Sequence, residues 1–256
     1  MITAVSWEHE RYCDAVSEEI ARFAGAVRGA DPSTPVPTCP DWTVAELVRH
    51  AGAVHRWAGQ MVAARAQERL DRRRVVLDLP ADEADLADWL AAGAGPLLGA
   101  LRSADPEAPM WAWGADQHVR FWSRRMLHET TIHRADAEFA VRREPAIGIE
   151  TAVDGVDELL DNLLRAAYFR PDVAKLRGQG QTLCFGCTDT DVDWAVTLGP
   201  DGYTWRRGNG EADVSVRGAA ADLLLLAYGR RRPDDPRFER SGDEQVLRHW
   251  LAHSAL

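Results

Sequence analysis

RRMLHETTIHRADAEFAV, residues 124–141, is the stretch on which the reading of this chain turns. Glu129 and His133 stand four residues apart in it, so on an α-helix they share one face about a turn apart. A carboxylate and an imidazole placed this way can hold one metal ion if a third ligand comes from elsewhere, although the same spacing also serves ordinary solvated pairs. Their face carries Trp122, Met126, Ala137 and Ala140, an apolar strip on which a carboxylate is costly to bury unless it is paired or bound to metal. His128 and Glu129 followed by His133 resemble the HExxH of zinc proteases, but the second histidine comes one residue late. Five steps turn His133 about 140° from His128, whereas four steps leave it about 40° from Glu129. Glu129 is thus read as a ligand rather than a general base.

Outward from this segment, the first half reads as four long helices. Val5, Tyr12, Val16, Ile20, Phe23 and Val27 form one apolar stripe over about residues 5–29. A proline-broken loop leads to a second helix that opens with Thr43 and Glu46 as a capping box and runs to about residue 68. A third begins near Asp82, with Gly93, Gly95 and Pro96 placed to interrupt it, and the fourth spans about 118–142. Such lengths and loops predict an all-α four-helix bundle over residues 1–145.

Near residues 143–148 the pattern changes. A helix over about 150–169 is followed by the strand-like runs TLCFGC, WAVTLG, YTWRR and DVSVRG, with a turn at Pro200, Asp201 and Gly202. Two more helices are expected, over 219–228 and over 243–253, the latter opened by a capping box of Ser241 and Glu244. Residues 146–256 therefore read as an α+β domain with a small, mainly antiparallel sheet.

Whole-chain properties narrow the function classes. The 256 residues are 46% hydrophobic and 27% charged, a globular balance. A net charge of −10 disfavours nucleic acid and anionic membranes as partners. The N-terminus is charged by its eighth residue and has no basic leader before an apolar run, so no signal peptide is expected, and no stretch reaches the length of a membrane span. The cytoplasm is the expected location. Cys184 and Cys187 form a CxxC on a strand, where residues three apart face opposite ways, and with Cys13 and Cys39 they are expected to be free structural thiols. The lone Lys175 among 29 arginines reads as the mark of a GC-rich genome.

The third ligand is sought in the second helix, ELVRHAGAVHRWAGQM, which holds His50 and His55. His50 lies on a stripe with Leu47, Val54, Trp57 and Met61, and His55 on another with Val48, Ala51, Gly52 and Val62. Either stripe can face the bundle axis, so periodicity leaves both open.

CPDWTVAELVRHAGAVHRW (39–57) followed by ETTIHRADAE (129–138) resembles the mycothiol-dependent maleylpyruvate isomerase family, within the wider DinB-like group of metal-binding four-helix bundles. GAAADLLLLAYGR and SGDEQVLRHWL are similar to that family's second domain, which resembles sterol carrier proteins. The resemblance covers nearly the whole chain and implies that His50, with Glu129 and His133, binds a divalent metal, zinc by expectation. It also implies mycothiol or a related low-molecular-weight thiol as cosubstrate. At an open coordination position a thiol loses its proton, and the thiolate adds to an activated double bond. Rotation and elimination then complete a cis–trans isomerisation, whereas addition alone makes a thiol transferase. A non-catalytic binding or regulatory module is a third reading. Relatives are understood to use a catalytic arginine from the second domain, which falls on Arg230 in AYGRRR, with Arg231 and Arg232 adjoining it. Arg125, one turn before Glu129, is the candidate contact for the thiol cofactor, and Asp136 is placed either to orient a ligand or to pair with an arginine such as Arg134. The expected partners are a small-molecule thiol and an electrophile, for a monomer or small homo-oligomer.

Overall fold

A computed structural model describes residues 7–255. The chain divides into two compact units, one of Trp7–Ala146 and one formed by the residues from Ile147 onward. Val5 of the first apolar stripe lies outside the described residues.

The first unit is helical. Helix α1 (His9–Val27) buries Tyr12, Val16, Ile20, Phe23 and Val27, the expected stripe. Helix α2 (Val44–Ala63) opens with the Thr43–Glu46 capping box, in which the Thr43 side chain accepts from Glu46 N and the Glu46 side chain accepts from Thr43 N. It ends about five residues earlier than expected, because Arg65 adopts a φ of 43°, a left-handed conformation that a helix cannot continue through. The third helical stretch is two helices, α3 (Leu86–Ala92) and α4 (Ala94–Ser103), meeting at Gly93 where the sequence predicts an interruption. Helix α5 (Val119–Ala140) is buried along most of its length and packs on α1 and α2.

Two apolar clusters hold this unit together. One gathers Tyr12, Val16 and Ile20 with Trp57, Met61, Leu101 and Trp122, and Trp57 meets Trp122 edge-on at 5.2 Å. The other joins Phe23 and Val27 to Leu47, Val48, Trp89 and Leu90. Gly52 gives α2 a flat spot for this second cluster, since a Cβ there would come within 2.2 Å of the Trp89 ring. Charge is buried too. Arg134, wholly enclosed, donates to Glu19 on α1 at 2.5 Å and pairs with Glu138, so its neighbour Asp136 is left for other partners.

In the second unit, α6 (Ile149–Asn162) passes into a 3-10 turn over Leu163–Tyr168, shortening the expected helix. Strands β1 (Thr182–Cys187), β2 (Asp193–Gly199), β3 (Gly202–Arg207), β4 (Val214–Gly218) and β5 (Glu239–Gly242) form one sheet in the order β3-β2-β1-β4-β5. The sheet is mixed. β1 pairs in parallel with β4, and the other pairings are antiparallel. Helices α7 (Ala220–Ala227) and α8 (Glu244–Ser254) complete the unit, with Trp250 of α8 buried against Tyr203 at 5.1 Å.

Two expectations are corrected here. Ser241 does not cap α8 but lies in β5, where its hydroxyl meets that of Ser215 at 2.8 Å, and Asp243 is the cap, accepting from Gln245 N. β5 itself escaped the sequence reading because ERSG has no apolar alternation. It is an exposed edge strand made by pairing with β4 rather than by burial. Gly242 ends it with a φ of 96°, and a Cβ there would lie 2.0 Å from Asp213 O. Cys184 and Cys187 are free and buried, and burial pushes the Cys187 thiol up to about 12, which keeps it unreactive. Among the described residues no helix is long and apolar enough to cross a membrane.

Candidate metal centre

Helices α2 and α5 bring His50, Glu129 and His133 together across 79 residues of sequence. Their ligand atoms lie within 4.8 Å of one another. Glu129 Oε1 is 3.4 Å from His50 Nε2 and 3.4 Å from His133 Nε2. Both separations are long for a charge-assisted hydrogen bond, which closes to about 2.7–2.9 Å. They equal the gap of about 3.4 Å between two ligands that each sit about 2.1 Å from one tetrahedral ion. Two imidazoles and a carboxylate are a fitting donor set for a divalent metal of the zinc type. The side chains of His50 and Glu129 remain 31% and 21% exposed, which leaves one side of the cluster accessible.

His55, the other candidate on α2, takes a different role. It is fully buried, its Nε2 meets Thr130 Oγ1 at 2.9 Å, and burial pushes it down to about 4. The five-residue offset from His50 turns it to the opposite flank of α2, and periodicity could not have told the two apart because both stripes are apolar.

Glu129 is held from its far side. Arg125, 4% exposed, donates through Nη2 to Glu129 Oε2 at 3.0 Å, so Oε1 is the oxygen that faces the histidines. The Arg125 guanidinium also stands 5.8 Å from the Trp113 ring. Burial alone would raise the Glu129 carboxyl, but hydrogen bonds from His133 and His50 and the charges of His133 and Arg125 outweigh it and keep the group well below its usual range. His133 shows the mirror image. Burial would lower it, yet its contacts with Asp136, Cys39 and Glu129 hold it well above the usual histidine range.

Asp136 settles how the His133 ring is turned. His133 Nδ1 donates to Asp136 Oδ2 at 3.0 Å, leaving Nε2 to face Glu129. Of the two partners weighed for Asp136, it takes the histidine, His133. Thr38 Oγ1 donates to Asp136 Oδ1 at 2.6 Å and Cys39 Sγ to Oδ2 at 3.3 Å. Trp42 lies 4.8 Å from the His50 ring and stacks at 6.1 Å on that of His133.

Thr38, Cys39 and Trp42 were missed as site residues, with Cys39 read as an isolated structural thiol. The available clue was their position directly before the Thr43 cap of α2, eight to twelve residues from His50. Arg120, near the start of α5, pairs with Glu107 and Asp116. Arg230, in the second unit, is half-buried after α7 and donates through Nη1 to Tyr228 O at 2.7 Å.

Comparison with known proteins agrees with this arrangement of elements. The chain is similar to a crystal structure of mycothiol-dependent maleylpyruvate isomerase, with 14% identity, a TM-score of 0.58 and coverage of 92% of this chain and 93% of that one. A variant of that enzyme with one histidine replaced by alanine aligns with a TM-score of 0.60 at 12% identity over 92% of this chain and 93% of that one. At such identities the likeness establishes the fold. No curated protein matches the chain. The family profiles for the mycothiol maleylpyruvate isomerase N-terminal domain and for the C-terminal domain of the same family match residues 13–138 and 150–249. With both profiles matched in order along nearly its whole length, the chain belongs to the mycothiol-dependent maleylpyruvate isomerase family.

Proposed function

We propose that this protein is a metal-dependent enzyme that activates mycothiol or a similar low-molecular-weight thiol for addition to an electrophile, with cis–trans isomerisation of maleylpyruvate or a close analogue as its reaction. The observation that carries this reading is the convergence of His50 Nε2, Glu129 Oε1 and His133 Nε2 at ligand-to-ligand spacing. These residues would hold the ion, which we assign as zinc. When bound, the metal supplies a Lewis acid that lowers the pKa of a coordinated thiol to near neutral.

The remaining contributions come from the chain. Arg125 draws Glu129 Oε2 away so that Oε1 stays directed at the two imidazoles, and its charge compensates a carboxylate that burial would otherwise protonate. Asp136 keeps the His133 proton on Nδ1, so that Nε2 offers its lone pair to the site. We assign Arg125 as the positive group beside the thiol cosubstrate and Arg230 as the contact for the substrate's anionic groups. An isomerase returns the thiol unchanged, so substrate and product have the same composition and only the geometry about one bond differs. We place the protein in the cytoplasm.

Incubation of the metal-loaded protein with mycothiol and maleylpyruvate tests the reading. Formation of fumarylpyruvate without consumption of thiol is the expected result. A stable thiol adduct formed with another electrophile would make the protein a transferase, and failure to bind any thiol by calorimetry would make it a non-catalytic module.

A further inference from the structure

The loop between α1 and α2 meets the site without supplying one of the three proposed ligands. It closes as a short hairpin: Pro35 bridges Thr43, Val36 N donates to Trp42 O at 2.8 Å, and Val44 N donates to Thr34 O at 2.9 Å. At its tip Cys39 N donates to Val36 O and Trp42 N to Cys39 O, both at 3.1 Å. Asp41 takes a φ of 69°, a left-handed turn that aspartate tolerates better than most residues. The backbone is thereby fixed, and three side chains from five consecutive positions reach the same place. Thr38 and Cys39 donate to the two oxygens of Asp136, and Trp42 lies against the rings of both His50 and His133.

We propose that Thr38, Cys39 and Trp42 form a positioning loop for the metal centre, in which two donors lock the Asp136 carboxylate and the indole braces the two imidazoles. The proposal rests on His50, Glu129 and His133 being the metal ligands. Asp136 is fully buried, and an unconstrained carboxylate there could rotate about its terminal torsion and release the His133 ring. With Oδ1 held by Thr38 and Oδ2 shared by Cys39 and His133, that rotation is blocked from both sides. The consequence is a single ring orientation before any ligand arrives, which reduces the reorganisation needed for binding.

Cys39, His133 and Asp136 also lie within 4.8 Å of one another, a spacing compatible with direct ligation of an ion by this second group. The donors aimed at Asp136 favour the positioning role, because its oxygens already accept from Thr38, Cys39 and His133. A cation at that place would have to displace those protons.

The test is zinc affinity, measured by competition with a chromophoric chelator, together with the visible absorption bands of the cobalt(II)-substituted protein. The double variant Thr38→Val/Cys39→Ala is expected to lose about 10- to 100-fold in zinc affinity and to shift the cobalt bands, while Thr38→Ser and Cys39→Ser stay within about threefold of the wild type. An unchanged thermal midpoint of the metal-free variants separates this loss from unfolding. Should the double variant not fold, the single variants Thr38→Val and Cys39→Ala are read in the same way. Wild-type affinity and an unaltered cobalt spectrum in the loop variants overturn the proposal. A second zinc equivalent in the wild type that disappears in Cys39→Ala also overturns it, by making Cys39 a ligand. If the wild type binds no zinc, or His50→Ala binds it equally well, the ligand assignment itself falls. Binding that needs His50 but ignores the loop sinks the loop proposal alone.

Discussion

His133 Nδ1 stands 3.0 Å from Asp136 Oδ2, three residues further along α5, and this bond determines which imidazole nitrogen faces the cluster. Were Nδ1 turned inward, Nε2 would be left toward the buried carboxylate and the spacing to Glu129 Oε1 would be lost. The helix thus carries a proposed ligand and the group that orients it at i and i+3.

Removal of any one proposed ligand should empty the site. For His50→Ala, Glu129→Ala and His133→Ala, elemental analysis of the purified proteins is expected to find bound metal reduced to about a tenth of wild type or less, since two remaining donors hold zinc weakly. Retention of full metal content in all three would end the metal-centre argument.

Arg125→Met should destabilise the metal-free protein by about 2 kcal/mol in urea unfolding, because it leaves the partly buried Glu129 carboxylate without its cation. Arg125→Lys, which keeps the charge but loses the fork geometry, should fall between the two. Equal stability of Met variant and wild type would show that the pair contributes nothing.

His55 imposes a pH dependence whose sign follows from burial. Its pKa is pushed down from 6.5 to about 4 in the folded chain, so between these values the unfolded chain binds the proton and the folded chain does not. Stability attributable to this group is present above the unfolded pKa and declines as pH falls towards the folded one, by about 3 kcal/mol in all. Urea midpoints measured across this window should be flatter in His55→Gln than in wild type. Parallel profiles would refute the assignment.

In the second unit, buried Asp157 accepts from Trp194 Nε1 at 2.7 Å and from Arg207 Nε at 3.1 Å. Asp157→Ala strands both donors and is expected to cost about 3 kcal/mol, against about 1 kcal/mol for Asp157→Asn, which keeps an acceptor for the indole. Tryptophan fluorescence during unfolding reads both.

Arg230→Ala should keep its metal yet lose at least about tenfold in turnover, the signature of a group that stabilises charge during reaction rather than one that builds the centre. Arg232→Ala, whose side chain is exposed and pairs with Asp234, serves as the control expected to behave as wild type. Equal rates in both variants would remove Arg230 from the substrate site.

What could be read from the chain alone was whatever depends on local period and local chemistry. The stripe of α1, the Thr43–Glu46 cap, the break at Gly93 and the pairing of Glu129 with Arg125 are one-turn relationships, visible wherever a helix is recognised. The shared face of Glu129 and His133 belongs to the same class. β5 and the cap of α8 were beyond that reach, since an exposed strand is defined by its partner and Asp243 competes with Ser241 only once β5 has claimed the serine. Periodicity left His50 and His55 open and the family resemblance pointed to His50, but the physical reason lies in the tertiary structure, where the packing of α2 on α5 orients His50 and not His55 toward the Glu129 carboxylate. Tertiary structure alone brought Thr38, Cys39 and Trp42 to residues nearly a hundred positions away, a contact with no period to betray it. Helical geometry repeats and is therefore legible in a sequence, whereas the meeting of a loop with a distant helix is fixed by the packing of the whole unit.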